Sequence, residues 1–128
     1  AAAGSLTILA KCRAPHVSIA AGEETFSMAL LEAFAALSES GGPVLLTAFE
    51  NAMPPLLGGS FAAPGPAWPW AAALVLERGG QLEAEPLAAE PAAAPQLDEA
   101  LQFLRGFCSG APRFETVAGG RRWRWSRR

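Results

Sequence analysis

Residues able to do chemistry are few in this sequence of 128 residues, and they cluster around one turn. The stretch "HVSIAAGEETFSMALL" (16–31) places an apolar run before Gly22, two glutamates after it, and then a helical pattern. A sharp turn of this kind, here the elbow (residues 22–24), presents a side chain at a helix N-terminus, where free N–H groups favour negative charge. An elbow of this form ordinarily carries a nucleophile, but here it carries Glu23 and Glu24.

The single histidine, His16, is poorly placed to activate a nucleophile at the elbow. Six extended residues at about 3.3 Å each separate it from Gly22, which exceeds hydrogen-bond reach. The two cysteines, Cys12 and Cys108, form no CxxC motif and no cluster with histidine, so we expect neither a metal site nor a cofactor. Two reduced thiols instead favour a cytoplasmic protein.

The adjacent carboxylates at the elbow have two interpretations. Charges at a helix start usually complement the helix dipole. Alternatively, Glu23 serves as an acid or base in an acyl-thioester-processing enzyme. We expect the Glu23 carboxylate to accept N–H groups from the first turn of the following helix.

Helical patterns occur three times. Good helix formers cover 1–11, and "QLDEALQFLRGFCSG" (96–110) places apolar side chains on one face before Gly110. Over 24–39 an apolar stripe recurs at helical spacing and stops at Gly41. The predicted buried faces are Leu97, Ala100, Leu101, Leu104 and Phe107 in the last helix, and Phe26, Leu30, Ala33, Phe34 and Leu37 in the middle one.

Between the helices, short apolar runs predict strands. "HVSIAA" (16–21), "VLLTAF" (44–49) and "WAAALVLER" (70–78) have strand composition, and the latter two suit a sheet covered on both faces. "QLEAEPLAAE" (81–90) is predicted as the hairpin partner of 70–78, and the tail as two short strands around Gly119 and Gly120. A Pro/Gly-rich loop (51–69) and a linker (90–95) join these elements. The order predicts one α/β domain, residues 1–128, with a mixed sheet.

The net charge of −2 conceals an asymmetry. Five of the ten basic residues stand in the last eight positions, so the rest of the chain is strongly acidic. In "GRRWRW" the two tryptophans share one face of an extended segment and the arginines the other. The tail is either an edge strand that buries Trp123 and Trp125, or a binding surface for a carrier protein or single-stranded nucleic acid. The acidic body would repel phosphates, which argues against nucleic acid as a partner. No apolar run reaches the length of a membrane span.

Taken in order, these segments resemble the middle of a β-ketoacyl synthase of the thiolase-like superfamily. The match comprises a small-residue helix ("AAGSLTILA"), a turn ("APH"), a "VSI"-type strand, the elbow with its long helix, the strand "PVLLTAFENA", and "WAAALVLER". The resemblance implies a partial thiolase-like layered fold, with a mixed sheet of four to five strands and two to three helices. The chain resembles the C-terminal half of the N-terminal domain of such a synthase.

The departures from the family pattern imply the function. Glu23 stands where the family has its catalytic cysteine, and nothing matches the family's pair of histidines. The resemblance is to cysteine-less proteins of the chain-length-factor type, which accompany true synthases in aryl polyene and xanthomonadin pigment clusters. It therefore implies a non-catalytic subunit of type II fatty acid or polyketide biosynthesis. In such a subunit the active site has lost its activity, and Glu23 supplies a fixed negative charge at the position of the nucleophile.

The same resemblance implies partners. A homodimer, or a heterodimer with a ketoacyl synthase, would use the strand before the elbow, and acyl carrier protein would dock on the basic tail. The implied interface residues are His16, Val17, Ser18, Ile19 and Ala20. The implied docking residues are Arg121, Arg122, Arg124, Arg127 and Arg128.

Overall fold

The computed structural model describes residues 2–51, 68–88 and 97–128, which contain three α-helices and five strands. The predicted linker 90–95 and most of the loop 51–69 lie outside the described residues. The helices are α1 (Ala2–Leu9), α2 (Thr25–Ser40) and α3 (Glu99–Cys108). The strands are β1 (Val44–Glu50), β2 (Trp70–Leu76), β3 (Leu82–Leu87), β4 (Arg113–Ala118) and β5 (Arg121–Arg127).

The strands form two antiparallel sheets in the described residues. β1 pairs with β2, with Val44 opposite Leu76, and the second sheet has the order β3-β5-β4. The predicted single mixed sheet is therefore divided, and β3 pairs with β5 instead of forming a hairpin with β2. Ala84 of β3 lies opposite Trp125, so the pairing places a large apolar partner from the distant tail against β3.

The predicted strand 16–21 is not formed. These residues are neither helical nor paired, and Val17 is 62% exposed. A strand exists only where a neighbour completes its ladder of hydrogen bonds, and no described strand pairs with this segment. The prediction of a strand at 16–21 is therefore wrong for the described chain.

The predicted helix over 24–39 is confirmed as α2, with its stripe turned towards the core. Phe26, Leu30, Ala33 and Leu37 are buried, whereas Phe34 is only partly covered. Gly41 ends the helix in the left-handed conformation (φ 70°), which glycine adopts without a Cβ clash. Arg78 closes the same end, because its guanidinium donates to the carbonyls of Leu37 and Ser38.

α3 is found where predicted, and part of the predicted face is confirmed, because Ala100 is buried and Leu97, Leu101 and Leu104 are half-buried; Phe103 replaces Phe107 as the buried aromatic residue. Ala100 and Phe103 are buried, whereas Phe107 is partly exposed. The ring of Phe103 lies 5.3 Å from that of Phe26 and 4.9 Å from that of Trp125, which sets the helix rotation. These aromatic contacts form the centre of the core.

β4 and β5 form the predicted pair of tail strands, joined by Gly119 and Gly120. Both glycines have positive φ (55° and 80°), the conformation of a type I′ hairpin turn. Trp125 is buried and Trp123 half-buried on the inner face, so the predicted alternation of the tail is confirmed. The hairpin thus projects its turn towards the elbow.

The β1–β2 ribbon is covered on one face only. Leu46, Ala48 and Leu74 pack against the core, but Leu45 and Val75 on the other face are 62% and 68% exposed. The prediction that both faces are covered is therefore wrong for the described chain. None of the described helices has the length and apolar character needed to cross a membrane.

Candidate functional site

The elbow is a single 3₁₀ turn, Gly22–Glu24, locked by the residue that follows it. The Thr25 hydroxyl donates to the Gly22 carbonyl at 2.7 Å and accepts the Ala21 N–H at 2.9 Å. Gly22 has φ 59°, a left-handed conformation that favours glycine. These features let the chain turn sharply from the extended segment into α2.

Glu23 does not point at the amides of the first helical turn, so that expectation is wrong. Its side chain is exposed, and its Oε2 accepts the backbone N–H of Gly119 at 3.2 Å. The carboxylate therefore reaches across to the β4–β5 turn instead of folding back over α2.

Glu24 binds the same turn from the other side. Its carboxylate forms an ion pair with the Arg121 guanidinium at 3.1 Å. The Glu24 side chain lies so close to the Gly119 backbone that a Cβ on Gly119 would be 2.7 Å from Cγ of Glu24. The two adjacent glutamates of the elbow thus contact the same hairpin turn, Glu23 at Gly119 and Glu24 at Arg121.

The anion that receives a helix N–H is Glu99, which the sequence did not indicate. Its side chain is 5% exposed, and Oε2 accepts the Ser27 N–H at 3.1 Å, in the first turn of α2. Burial raises the pKa of the Glu99 carboxyl, and the nearby Glu24 raises it further, while hydrogen bonds from Ser27 and Thr116 act in the opposite direction. The one available signal was a carboxylate four residues before Phe103, on what becomes the buried face of α3.

Thr116 connects Glu99 to the core of the second sheet. Its hydroxyl is fully buried, donates to Glu99 Oε1 at 3.3 Å, and accepts the Trp125 indole N–H at 3.1 Å. A continuous hydrogen-bonded chain therefore runs from Trp125 through Thr116 and Glu99 to Ser27. It joins β5, β4, α3 and α2.

No nucleophile and base meet at the elbow in the described residues. His16 lies near α1, where its Nε2 is 3.7 Å from the position a Cβ on Gly4 would take. Cys12 and Cys108 are exposed free thiols. A cavity of about 10 Å³ lies beside Ser27, which is too small for a substrate. Nor do the described His, Cys, Asp and Glu residues form a group that could hold a metal ion.

The five arginines of the tail bind the protein itself. Arg127 donates to the carbonyls of Ala111 and Phe107 at the end of α3, and its guanidinium lies over the Phe107 ring. The other four form ion pairs with glutamates of the elbow and of β3 and β4. These pairs are Arg121–Glu24, Arg122–Glu115, Arg124–Glu85, Arg124–Glu115 and Arg128–Glu83.

The residues implied as an interface form an extended segment on the surface. His16, Val17, Ser18 and Ala20 are exposed, and Ile19 is half-buried. Their backbone groups enter no helix or strand of the described chain, so the segment offers unpaired donors and acceptors directly before the elbow.

Comparison with known proteins defines the class. Residues 1–126 match the family described as "Beta-ketoacyl synthase, N-terminal domain", so the chain belongs to the β-ketoacyl synthase family. It is similar to a chain in the structure of the ketosynthase ApeO in complex with its chain length factor ApeC from Xenorhabdus doucetiae, with 33% identity and a TM-score of 0.89. The similarity covers 98% of this chain and 52% of that one, so this chain spans about half its length. No curated protein matches the sequence. The predicted resemblance and the partial thiolase-like α/β fold are both confirmed.

Proposed function

We propose that this chain is a non-catalytic β-ketoacyl-synthase-like subunit of the chain-length-factor type. It would accompany a true condensing enzyme in type II fatty acid or polyketide biosynthesis, of which aryl polyene assembly is the form the resemblance favours. The observation that carries the proposal is the elbow, where Glu23 stands at the family's nucleophile position and binds the chain's own Gly119 N–H.

The chemistry of Glu23 supports this proposal over an enzymatic role. A carboxylate is a weak nucleophile towards a thioester, and no imidazole or thiol lies at the elbow to assist it. The Glu23 carboxylate is also exposed, and its Oε2 already accepts the backbone N–H of Gly119. An acyl-thioester-processing enzyme using Glu23 is the alternative that the experiment below addresses.

The partner in this proposal is a ketoacyl synthase. A chain 33% identical to this one belongs to a complex between a ketosynthase and its chain length factor, which supports a partnership of the same kind. The unpaired segment 16–20 would supply the contact, because an exposed backbone edge pairs readily with a second edge. A heterodimer with the synthase, or a homodimer, would satisfy these groups. Two free exposed thiols are compatible with assembly in the cytoplasm.

The test combines this chain with a ketoacyl synthase that has the catalytic cysteine and both histidines, together with its carrier protein. We expect no acyl transfer and no malonyl-thioester decarboxylation by the chain alone, and a change in activity or product length only when the synthase is present. Glu23→Cys alone should still make no product, because the histidine partners are missing.

A matched pair of variants locates the contact. Val17→Lys should weaken capture of the synthase, whereas Val75→Lys, an equally exposed valine on the ribbon, should leave capture unchanged. Product formed by the chain alone and abolished by Glu23→Gln would favour the enzymatic alternative and overturn the proposal.

A further inference from the structure

The most deeply buried polar cluster of the described residues centres on Glu99 and serves no step of the proposed function. Each carboxylate oxygen binds a different element: Oε2 holds the Ser27 amide of α2, and Oε1 holds the Thr116 hydroxyl of β4. We propose that Glu99 is a proton-dependent latch that fixes the first turn of α2, and with it the elbow, to the second sheet.

The geometry explains why the elbow depends on this one carboxyl. Ser27 is 3% exposed and Thr116 fully buried, so water cannot replace the carboxylate as a partner without the elements separating. The Ser27 hydroxyl also donates to the Glu24 carbonyl at 3.2 Å, which ties the elbow backbone to the same residue. Opening the latch therefore frees the elbow and the N-terminus of α2 together.

The charged surroundings make the latch respond to protons. Glu24 is the charged group that faces it from the elbow, and Glu24 is itself paired with Arg121 at the start of β5. From α2 and β4 it meets the neutral Ser27 and Thr116, and on α3 the adjacent Asp98 accepts the Trp70 indole N–H instead. Burial and one neighbouring carboxylate thus act against the ionised form.

The direction of the response follows from the raised pKa. The closed state retains the Glu99 proton at pH values where an opened, hydrated carboxyl has already lost it. Stability of the latch is therefore full below the usual pKa of a glutamate and declines as pH rises through the raised pKa. A protonated carboxyl still accepts the Ser27 amide and can donate to Thr116 Oγ1, so acid tightens the latch instead of breaking it.

Amide hydrogen exchange of the intact chain measures this opening directly. The protection factor of the Ser27 amide, relative to an unstructured peptide at the same pH, should increase as pH falls from about 8 to about 5. The expected increase is about tenfold for each unit by which the pKa is raised. Gly41, whose amide is bonded to Leu37 at the opposite end of α2, is the internal control and should change much less.

Variants separate the latch from general acid effects. Glu99→Gln keeps the shape of the side chain without a titrating group, and the Ser27 protection factor should then no longer follow pH. Glu39 is an exposed glutamate of α2, the helix that contains Ser27. Glu39→Gln should retain the wild-type dependence of Ser27 protection on pH.

The inference fails if Ser27 protection in the wild type does not depend on pH, or if Ser27 and Gly41 change in step. It also fails if Glu99→Gln retains the wild-type dependence. The wild-type profile alone decides the matter if Glu99→Gln does not fold. None of these outcomes depends on whether the chain is a non-catalytic subunit.

Discussion

The second sheet with α3 and the β1–β2 ribbon are stabilised in different ways. The sheet of β3, β5 and β4 is cross-linked by polar side chains, with the Trp125–Thr116–Glu99 chain on its inner face and arginine–glutamate pairs on its outer face. The ribbon is almost purely apolar, and the exposed Leu45 and Phe49 mark its open face. In the sheet most polar side chains pair with one another, with the buried Trp123 indole N–H as an exception among the described residues, whereas the ribbon presents apolar area to solvent.

The contrast indicates which parts of the molecule are self-sufficient. Buried polar groups with complete hydrogen bonding specify a unique arrangement, because any slip leaves them unpaired. Apolar contacts on a two-stranded ribbon are less specific, and such ribbons are marginal without a covering layer. Substitutions should therefore be most costly in the sheet, and on the ribbon they should be costly only on the face that packs against the core.

Truncation of Trp125 is the strongest test of this contrast. The side chain is 3% exposed, contacts Phe103 and donates to Thr116, so Trp125→Ala should destabilise the protein by about 3–5 kcal/mol. Trp68→Ala removes an equally large side chain that is 60% exposed, and should change stability by less than about 0.5 kcal/mol. Urea unfolding followed by circular dichroism provides both values. Equal losses would show that the sheet is not the more specific region.

Two neighbouring leucines of the ribbon provide a second pair of variants to compare. Leu46 faces the core, and Leu46→Ala should cost about 2 kcal/mol, whereas the neighbouring Leu45→Ala should be nearly neutral in the isolated chain. The same unfolding measurement compares them. A larger loss at Leu45 would mean that its face is covered in solution.

The smallest effect concerns the outer face of the sheet. Arg122→Ala with Arg124→Ala breaks partly exposed ion pairs to Glu115 and Glu85, each worth about 0–1 kcal/mol, so the melting temperature should hardly move. If the tail docks an acidic carrier protein, this variant should weaken capture at low salt. Arg105→Ala with Arg113→Ala removes the same charge from exposed arginines without an ion pair in the described chain. Equal weakening by both double variants would argue against docking on the tail.

Local patterns in the sequence predicted the elements well. The stripe of Leu30 and Leu37, the stop at Gly41 and the turn at Gly119 each depend on neighbours within a few residues, and all three are found. The strand at 16–21 and the pairing of β2 with β3 were mispredicted, because pairing depends on distant partners that composition does not identify.

The polar contacts around the elbow were also not predictable from local sequence patterns. Glu23 was visible because it follows a local turn, but its contact, Gly119, lies 96 residues away. Glu99 and Ser27 are separated by 72 residues, and no sequence pattern around either residue indicates that the two are in contact. Only the folded arrangement identifies Glu99 as the anion at the N-terminus of α2.

The turn of Gly119 and Gly120 also bears on the order of folding. Both residues already favour the backbone that a tight hairpin needs, and β4 and β5 adjoin it directly, so this pair closes with a small loss of chain entropy. An isolated hairpin forms within about 1–10 μs, and α3 lies immediately before it in sequence. β3 must instead be recruited from a segment more than thirty residues upstream of its partner, β5. Residues 97–127 should therefore act as the folding nucleus, with β3 and the ribbon joining a scaffold that is already in place.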